Sequence, residues 1–563
     1  LLQGVAAVAG AGEAVYGTAL CKYAAAQPRT RLTAQDKGSA KVRRRRAAVA
    51  QIGMRGNLTR LLPPRLLLPR WLPQHLPPRY LLPRYLSPPR LLSRALLAAS
   101  LLVSGCDTVS NISSNLFGSS GPAEGQPGHV QGFLGGVAAD EPHAALIARD
   151  VLSQGGNAAD AAVALGFALS VTLPSRAALG GGGACVAFAA GAKSVNAGVP
   201  ETVLFIPPAA SGGPGGDRPA AVPMLARGLY LLHARYGHLP FESLIVPAEQ
   251  MARFGTPTSR ALAQDLAVVG GSLLADPTAA AIFGHGNLPL AEGQPLLQPA
   301  LASTLAQLRT VGVGDFYQGV LARRIANTSV AAGGPLTLAD LHDALPRLGA
   351  PISLAYGNDK LAFLPPPADG GLAAAAAFQA LQHDPSAFAA AQARADAVVA
   401  RSRAAGGDPT ALLAADLPAG SLPSLPASTS FVTIDRDGNA VACALTMNNL
   451  FGTGRVLADT GLLLAASPAA VPPPELAAVI AWNEPIHAFR AAVAGSGQEA
   501  AGTTVALALY NALRSGQAMA APVPEPGRVN VATCSQYLPN GEASCRWATD
   551  PRGAGLAIGG GGN

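Results

Sequence analysis

Three hydroxyl side chains, Ser428, Thr429 and Thr446, are the residues whose placement in this chain could do chemistry. Ser430 to Ile434 and Ala440 to Leu445 are β-favouring runs, and the Asp435-Arg436-Asp437-Gly438-Asn439 segment between them carries the Asp-Gly signal of a tight hairpin. With Asp437-Gly438 as a two-residue loop, Thr446 falls opposite Thr429 and next door to Ser428. Serine and threonine are ordinary strand residues, and the pairing alone asks for nothing more. A positioned hydroxyl can also attack a carbonyl and form an ester, so nucleophilic chemistry would sit at the open end of this hairpin.

The stretch also resembles the start of the small subunit of the γ-glutamyltransferases, whose pattern there is T-T-H-x-S-V-x-D-x-x-G-N-A-V, then T-x-N, then F-G-[ST]-G. Asp435, Gly438, Asn439, Ala440, Val441, Thr446, Asn448, Phe451, Gly452 and Gly454 match it without gaps. Upstream, Gly155-Gly156-Asn157-Ala158-Ala159-Asp160-Ala161-Ala162-Val163 resembles G-G-N-A-x-D-A-A-V. Pro174 followed by Leu179-Gly180-Gly181-Gly182-Gly183 resembles P-x-x-x-x-L-G-G-G-G, a tight turn before a strand and not a phosphate loop. The resemblance runs from about 131 to 465. It implies an α+β, four-layer αββα N-terminal-nucleophile hydrolase fold, with a large-subunit-like half at 131–427 and a small-subunit-like half at 428–563. Residues 384–427 correspond to a mobile linker ending at the self-cleavage point.

That resemblance makes Ser428 the nucleophile, freed by self-cleavage between Ala427 and Ser428, with Thr429 as runner-up because strand alternation puts it on the face of Thr446. Thr446 would orient the nucleophile, Asn448 would face the substrate, and Gly495 and Gly497 would supply the oxyanion element. The implied substrates are small γ-glutamyl or related amides of the glutathione type. No cofactor is implied, and the cleaved chain's partners would be its own two fragments. The charged clamp of the family is missing, however. Its arginine should follow Asn196-Ala197, where Gly198 stands, and its paired aspartates fall at Ala469 and Ala470. A zwitterionic donor would lose charge-assisted hydrogen bonds there. The competing function is therefore a degenerate family member acting as an envelope binding or scaffold lipoprotein, unless Arg455 or Gln498 fills the pocket instead.

Charge is distributed unevenly. The net +7 conceals 17 basic and two acidic residues before position 106, leaving 23 basic and 31 acidic in the remainder. The part expected to fold is acidic, which argues against a nucleic-acid partner. Residues 1–53 lack methionine and read as over-called upstream sequence. Residues 54–105 hold Leu-Pro-Pro-Arg and Leu-Leu-Pro-Arg repeats, then Arg94 and a short apolar run ending in Leu102-Val103-Ser104-Gly105-Cys106. This ending resembles a lipobox, so Cys106 is expected to carry lipid and residues 106–130 to form a tether. The expected location is the periplasmic side of a bacterial membrane, the inner one slightly favoured by Asp107. Cys534 and Cys545 are expected to form a disulfide in a loop, whereas Cys185 and Cys443, in apolar strands, read as buried thiols. No HxxEH, CxxC or clustered ligand set points to a metal.

Overall fold

The Asp435–Asn439 turn sets the register at the centre of the fold. Gly438 adopts φ 87°. Its N–H donates to the Asp435 carbonyl (3.3 Å), and the Asp435 N–H donates to the Asn439 carbonyl (3.1 Å). The loop is therefore three residues, Arg436 to Gly438, with glycine in the left-handed position, and not the two-residue loop expected from Asp-Gly. The Asp435 carboxylate explains the difference. It accepts from Asp437 N–H, Asn439 N–H, the Asn439 side chain and Ala158 N–H at 2.8–3.0 Å. Burial pushes its carboxyl up to about 6. The whole hairpin shifts by one residue, so Ser428 lies opposite Thr446 and Thr429 opposite Leu445.

The computed structural model describes residues 130–190, 198–211, 216–418, 420, 422, 428–519 and 522–562. The expected upstream and signal segments and the expected tether up to residue 129, including Cys106, lie outside them, as does Ala427. Val130, the last residue assigned to the tether, is instead buried and donates its N–H to the Ser153 carbonyl (2.9 Å). The principal elements are β1 (Gly132–Ala139), α1 (Pro142–Ser153), α2 (Ala158–Thr172), α3 (Pro174–Ala177), β2 (Gly182–Phe188), β3 (Glu201–Phe205), α4 (Leu225–Tyr236), α5 (Phe241–Phe254), α6 (Arg260–Leu273), α7 (Pro299–Val311) and β4 (Arg347–Gly349). There follow β5 (Ile352–Tyr356), β6 (Asp359–Phe363), α8 (Asp369–His383), α9 (Phe388–Ala405), α10 (Pro409–Ala414), β7 (Ser428–Asp435), β8 (Ala440–Thr446), β9 (Ala477–Asn483) and β10 (Ala488–Ser496). The last four are α11 (Ala501–Ser515), β11 (Arg528–Leu538), β12 (Cys545–Thr549) and β13 (Leu556–Gly562).

Two antiparallel sheets face each other. One has seven strands in the order β13-β1-β7-β8-β2-β3-β4, and the other six in the order β12-β11-β10-β9-β6-β5. Alternate residues of each strand meet between the sheets: Val432, Ile434, Ala442 and Val186 from the first pack against Ile480, Ala492 and Phe489 from the second. The other faces are covered by helices, α1, α2 and α4 on the first sheet and α8 and α11 on the second, with α5 packed against α2 and α9 against α8. The result is the four-layer αββα arrangement. Helix α2 begins with a capping box in which Asn157 and Asp160 exchange hydrogen bonds. It is apolar on every side because other elements surround it, and all its residues are buried.

The segment expected to be a linker is mostly helix. Phe388-Ala-Ala-Ala-Gln-Ala-Arg-Ala-Asp-Ala-Val-Val is so rich in alanine that it shows no apolar stripe, yet alanine is the strongest helix former, and α9 results. Arg403 ties it down through Asp369 (2.7 Å) and the Pro473 carbonyl (3.0 Å). The cysteines also correct the expectation. Cys185 and Cys443 are bonded to each other and not free thiols, because β2 and β8 pair them directly with Cα atoms 4.1 Å apart. Strand register across 258 residues was not legible in either cysteine's local sequence. A loop that long is worth about 5 kcal/mol in the chain-entropy account. Cys534 and Cys545 are also bonded, on facing strands β11 and β12 instead of in a loop.

The glycine-rich C-terminal stretch forms β13 beside β1, where Gly136 pairs with Gly559. A Cβ at either glycine would run into the Trp547 indole, so both strands need a bare backbone beneath that ring. Gly136→Ala should destabilise by about 1–3 kcal/mol through overpacking, read as a lower urea midpoint with an altered tryptophan emission. Unchanged values for both would show that the indole can move aside freely.

Candidate active site

β7 and β8 bring Ser428 and Thr446 together at one end of the sandwich. Both share the parity of Val432, Ile434, Ala442 and Ala444, so both belong to the face turned towards the second sheet. Thr429 has the opposite parity, and its hydroxyl donates to Asp140 Oδ2 (3.0 Å). The observed register thus removes the ground on which Thr429 rivalled Ser428. Ser428 is 1% exposed, and its Oγ has no hydrogen-bond partner among the described residues. A buried hydroxyl without a partner costs stability and calls for an explanation.

Thr446 Oγ1 accepts from Asn448 N–H (2.8 Å), and the Asn448 side chain donates to the Ala466 carbonyl (2.9 Å). Asn448 adopts φ 56°, which turns the chain sharply after β8. Its amide therefore fastens the 464–467 loop to the hairpin, a job that the expectation of substrate contact did not include. Ala469 and Ala470 follow on this loop, exposed and without charge.

The expected Gly495 and Gly497 element divides. Gly495 is an ordinary member of β10, paired with Ala477 and Val529. The turn belongs to Gly497 (φ 122°) and Gln498 (φ 57°), after which a short 3-10 turn leads into α11. Backbone N–H groups at such a helix start are the natural donors to a developing oxyanion.

Gly198 also needs correction. Its N–H donates to the Ala189 carbonyl (2.7 Å), just past the end of β2 that pairs with Ala440. Ser428 lies at the opposite end, where Thr446 pairs with Gly182. A side chain at 198 would meet the His487 ring. That position could not clamp a substrate over Ser428 whatever residue it held. The β3 end nearest Ser428 is Leu204, Phe205 and then Ile206, all apolar. Arg455 is engaged elsewhere, by both oxygens of Asp217 at 2.7 Å.

Sequence reasoning missed three charged residues. Arg176, on α3, places Nη1 3.5 Å from the Ser428 carbonyl and is gripped by Asp265 of α6 at 2.8 and 2.6 Å. Burial works against its charge, but the Asp265 carboxylate outweighs that and holds the guanidinium above its ordinary value. The P-x-x-x-x-L-G-G-G-G run contained Arg176, but only the fold reveals what it faces. Asp140, at the end of β1, joins both sheets. Glu475, 1% exposed, lies two residues before Ala477, the strand partner of Gly495. Gly502 N–H reaches one of its oxygens at 3.4 Å, and the other has no partner among the described residues. Burial raises its carboxyl to about 8, against the smaller opposing pull of Arg403.

Comparisons with known proteins agree with this layout. The family described as Gamma-glutamyltranspeptidase matches residues 144–414. The glutathione hydrolase proenzyme of Escherichia coli K12 is 29% identical over 389 residues, covering 60% of this chain and 66% of that protein. The Bacillus subtilis 168 glutathione hydrolase proenzyme is 32% identical over 252 residues, 42% of this chain and 43% of its own length. The chain thus spans less than two thirds of each of these relatives. In fold it is similar to the crystal structure of cephalosporin acylase from Bacillus halodurans, with a TM-score of 0.62 at 19% identity over 78% of this chain and 98% of that one. The αββα sandwich has the fold of the N-terminal-nucleophile hydrolases, and over residues 144–414, with its ordered motifs, the chain is similar to the γ-glutamyltranspeptidase family.

Proposed function

We propose that the chain is an amidohydrolase or acyltransferase acting on γ-glutamyl or related small amides through Ser428, exposed as a new N-terminus by self-cleavage. The observation that carries this reading is the Ser428 Oγ, buried across from Thr446 without a partner among the described residues. In the first step Oγ attacks the Ala427 carbonyl carbon. The C–N bond breaks, the Ser428 nitrogen leaves as an amine, and Ala427 becomes an ester on Oγ that water hydrolyses. The freed α-amine then serves as general base for the same hydroxyl when a substrate amide binds. The acyl group passes to Oγ, the leaving amine takes the proton, and water or a second amine releases the acyl group. Backbone N–H groups of the Gly497–Glu499 stretch would stabilise the oxyanion in both steps, those of Ala500 and Ala501 being bonded within the turn.

The missing clamp bears on the substrate and not on this chemistry. Arg176 is the cation beside Ser428, and Ala469 and Ala470 offer no carboxylate for an ammonium group. Donors with a carboxylate and no α-amine therefore fit this mouth better than glutathione itself. Incubating purified protein with glutaryl and γ-glutamyl anilides tests the reading. Aniline release, with a transient acyl adduct on the fragment beginning at Ser428, is expected, faster for the glutaryl compound. Release of neither from a natively folded, cleaved protein would overturn it. Export and lipidation at Cys106 belong to the same proposal, supported by two disulfides that need an oxidising compartment. Fatty-acid labelling that disappears in Cys106→Ala is the expected result.

A further inference from the structure

Asp140 stands where β1 ends and α1 begins, and its carboxylate turns back across the end of β7. Oδ2 accepts from Thr429 Oγ1 (3.0 Å), Ser430 N–H (3.0 Å) and Ser496 Oγ (3.3 Å), and Oδ1 accepts from the Asn530 side chain (2.7 Å). The same Asn530 nitrogen reaches the Ser430 carbonyl and hydroxyl, each at 2.9 Å. Two of these partners belong to the nucleophile strand. The other two belong to β10 and β11 of the facing sheet. One carboxylate therefore joins the strand that begins with Ser428 to the residue immediately before the Gly497–Gln498 turn.

We propose that Asp140 is a positioning residue, which sets the spacing between Ser428 and the oxyanion turn and places a negative charge near the amine that cleavage exposes. The inference rests on the function proposed above. Geometry supports it in three ways. The sheets elsewhere meet through apolar side chains, which slide and repack cheaply, whereas four hydrogen bonds to one anion fix a distance. The Ser430 amide that Asp140 holds is two strand residues, roughly 7 Å, from the Ser428 nitrogen. And the carboxylate meets Thr429, which explains why a hydroxyl facing away from Thr446 stands beside the nucleophile. Among the described residues, the other charged groups on the elements that flank this end of β7 are Arg176 on α3, 3.5 Å from the Ser428 carbonyl, its partner Asp265 on α6, and, on the segments next to Ser496, Glu475, Glu499 and Arg528.

Asp140→Asn keeps the size of the side chain and removes its charge, and Ser496→Ala removes a single arm should the first variant fold poorly. Three quantities separate positioning from a merely structural role. The self-cleavage half-time should lengthen by about tenfold or more in Asp140→Asn and by less in Ser496→Ala. The pH dependence of labelling of the new Ser428 amine by an amine-directed reagent should move down by roughly one unit in Asp140→Asn, because a neighbouring anion that stabilised the ammonium form is gone. Hydrogen exchange at 496–501, measured in a Ser428→Ala background that cannot cleave, should speed up when Asp140→Asn is added. Unchanged cleavage, labelling and exchange in a folded Asp140→Asn protein overturn the inference. A wild-type chain that never cleaves overturns the proposed function instead, and exchange at 496–501 still decides what Asp140 holds.

Discussion

Ser428→Ala should remain a single uncut polypeptide, and this is the largest single-residue effect expected anywhere in the chain. The hydroxyl is the atom that becomes the ester, and no neighbouring side chain can replace it. Thr446 Oγ1 accepts a hydrogen bond from Asn448 N–H, and Thr429 Oγ1 is engaged by Asp140 on the other face of the strand. Mass spectrometry of the purified protein after reduction of its disulfides should find a fragment beginning at Ser428 in the wild type and only intact chain in the variant. Thr446→Val should cleave at the same bond about tenfold more slowly, since a hydrogen bond that Thr446 Oγ1, opposite Ser428 in the strand pair, makes to the reacting oxygen only in the transition state is worth roughly 1.4 kcal/mol in rate. Thr429→Val should also cleave before Ser428, slowed by whatever share of Asp140's hold passes through Thr429. A fragment beginning at Thr429 would reverse the assignment. An uncut, natively folded wild type would make both hydroxyls plain strand residues.

The second large effect concerns pH and Glu475. Its carboxyl is raised from an ordinary 4.5 to about 8, chiefly by burial, with Gly502 N–H its only hydrogen-bond donor among the described residues. Between these values the folded protein holds a proton that the unfolded chain gives up. The sign follows: the contribution of this group to stability is full below about 4.5 and is lost as pH rises through about 8. The slope within that window approaches 1.4 kcal/mol per pH unit, so several kcal/mol are at stake across it. Glu475→Gln keeps the shape and cannot ionise. Urea unfolding from pH 5 to pH 9 should show the variant gaining on the wild type by about 1 kcal/mol per unit. Parallel curves would mean that Glu475 ionises freely in the folded protein and has a partner or a solvent path.

Local pattern carried a good deal of this molecule. The Asn157 capping box, the hairpin of β7 and β8 and the tight glycine turn before β2 all depend on near neighbours in sequence, and each forms as the residues suggest. The failures share a different property. Whether Asp437-Gly438 closes a two- or three-residue loop is decided by Asp435 reaching the start of α2, 277 residues earlier. The cysteine pairing of β2 with β8 depends on strand order, and the positions of Gly198 and Ser428 at opposite ends depend on strand direction. Helix α9 was hidden because alanine supplies helix propensity without an apolar stripe. Asp140, Arg176 and Glu475 carry no motif, and only the meeting of distant elements brings the first two to the hairpin's open end and the third against the start of α11.

The bond between Cys185 and Cys443 joins residues on either side of the Ala427–Ser428 junction. Hydrolysis there would cut the backbone without separating the pieces. A matured molecule would remain one covalent object, immune to dilution, and neither half could exchange with another copy's. Gel electrophoresis under denaturing conditions should therefore show one band from fully processed protein when thiols are excluded, and two once a reductant is added. Compartment chemistry, not affinity between the halves, would then set how long the pair stays together.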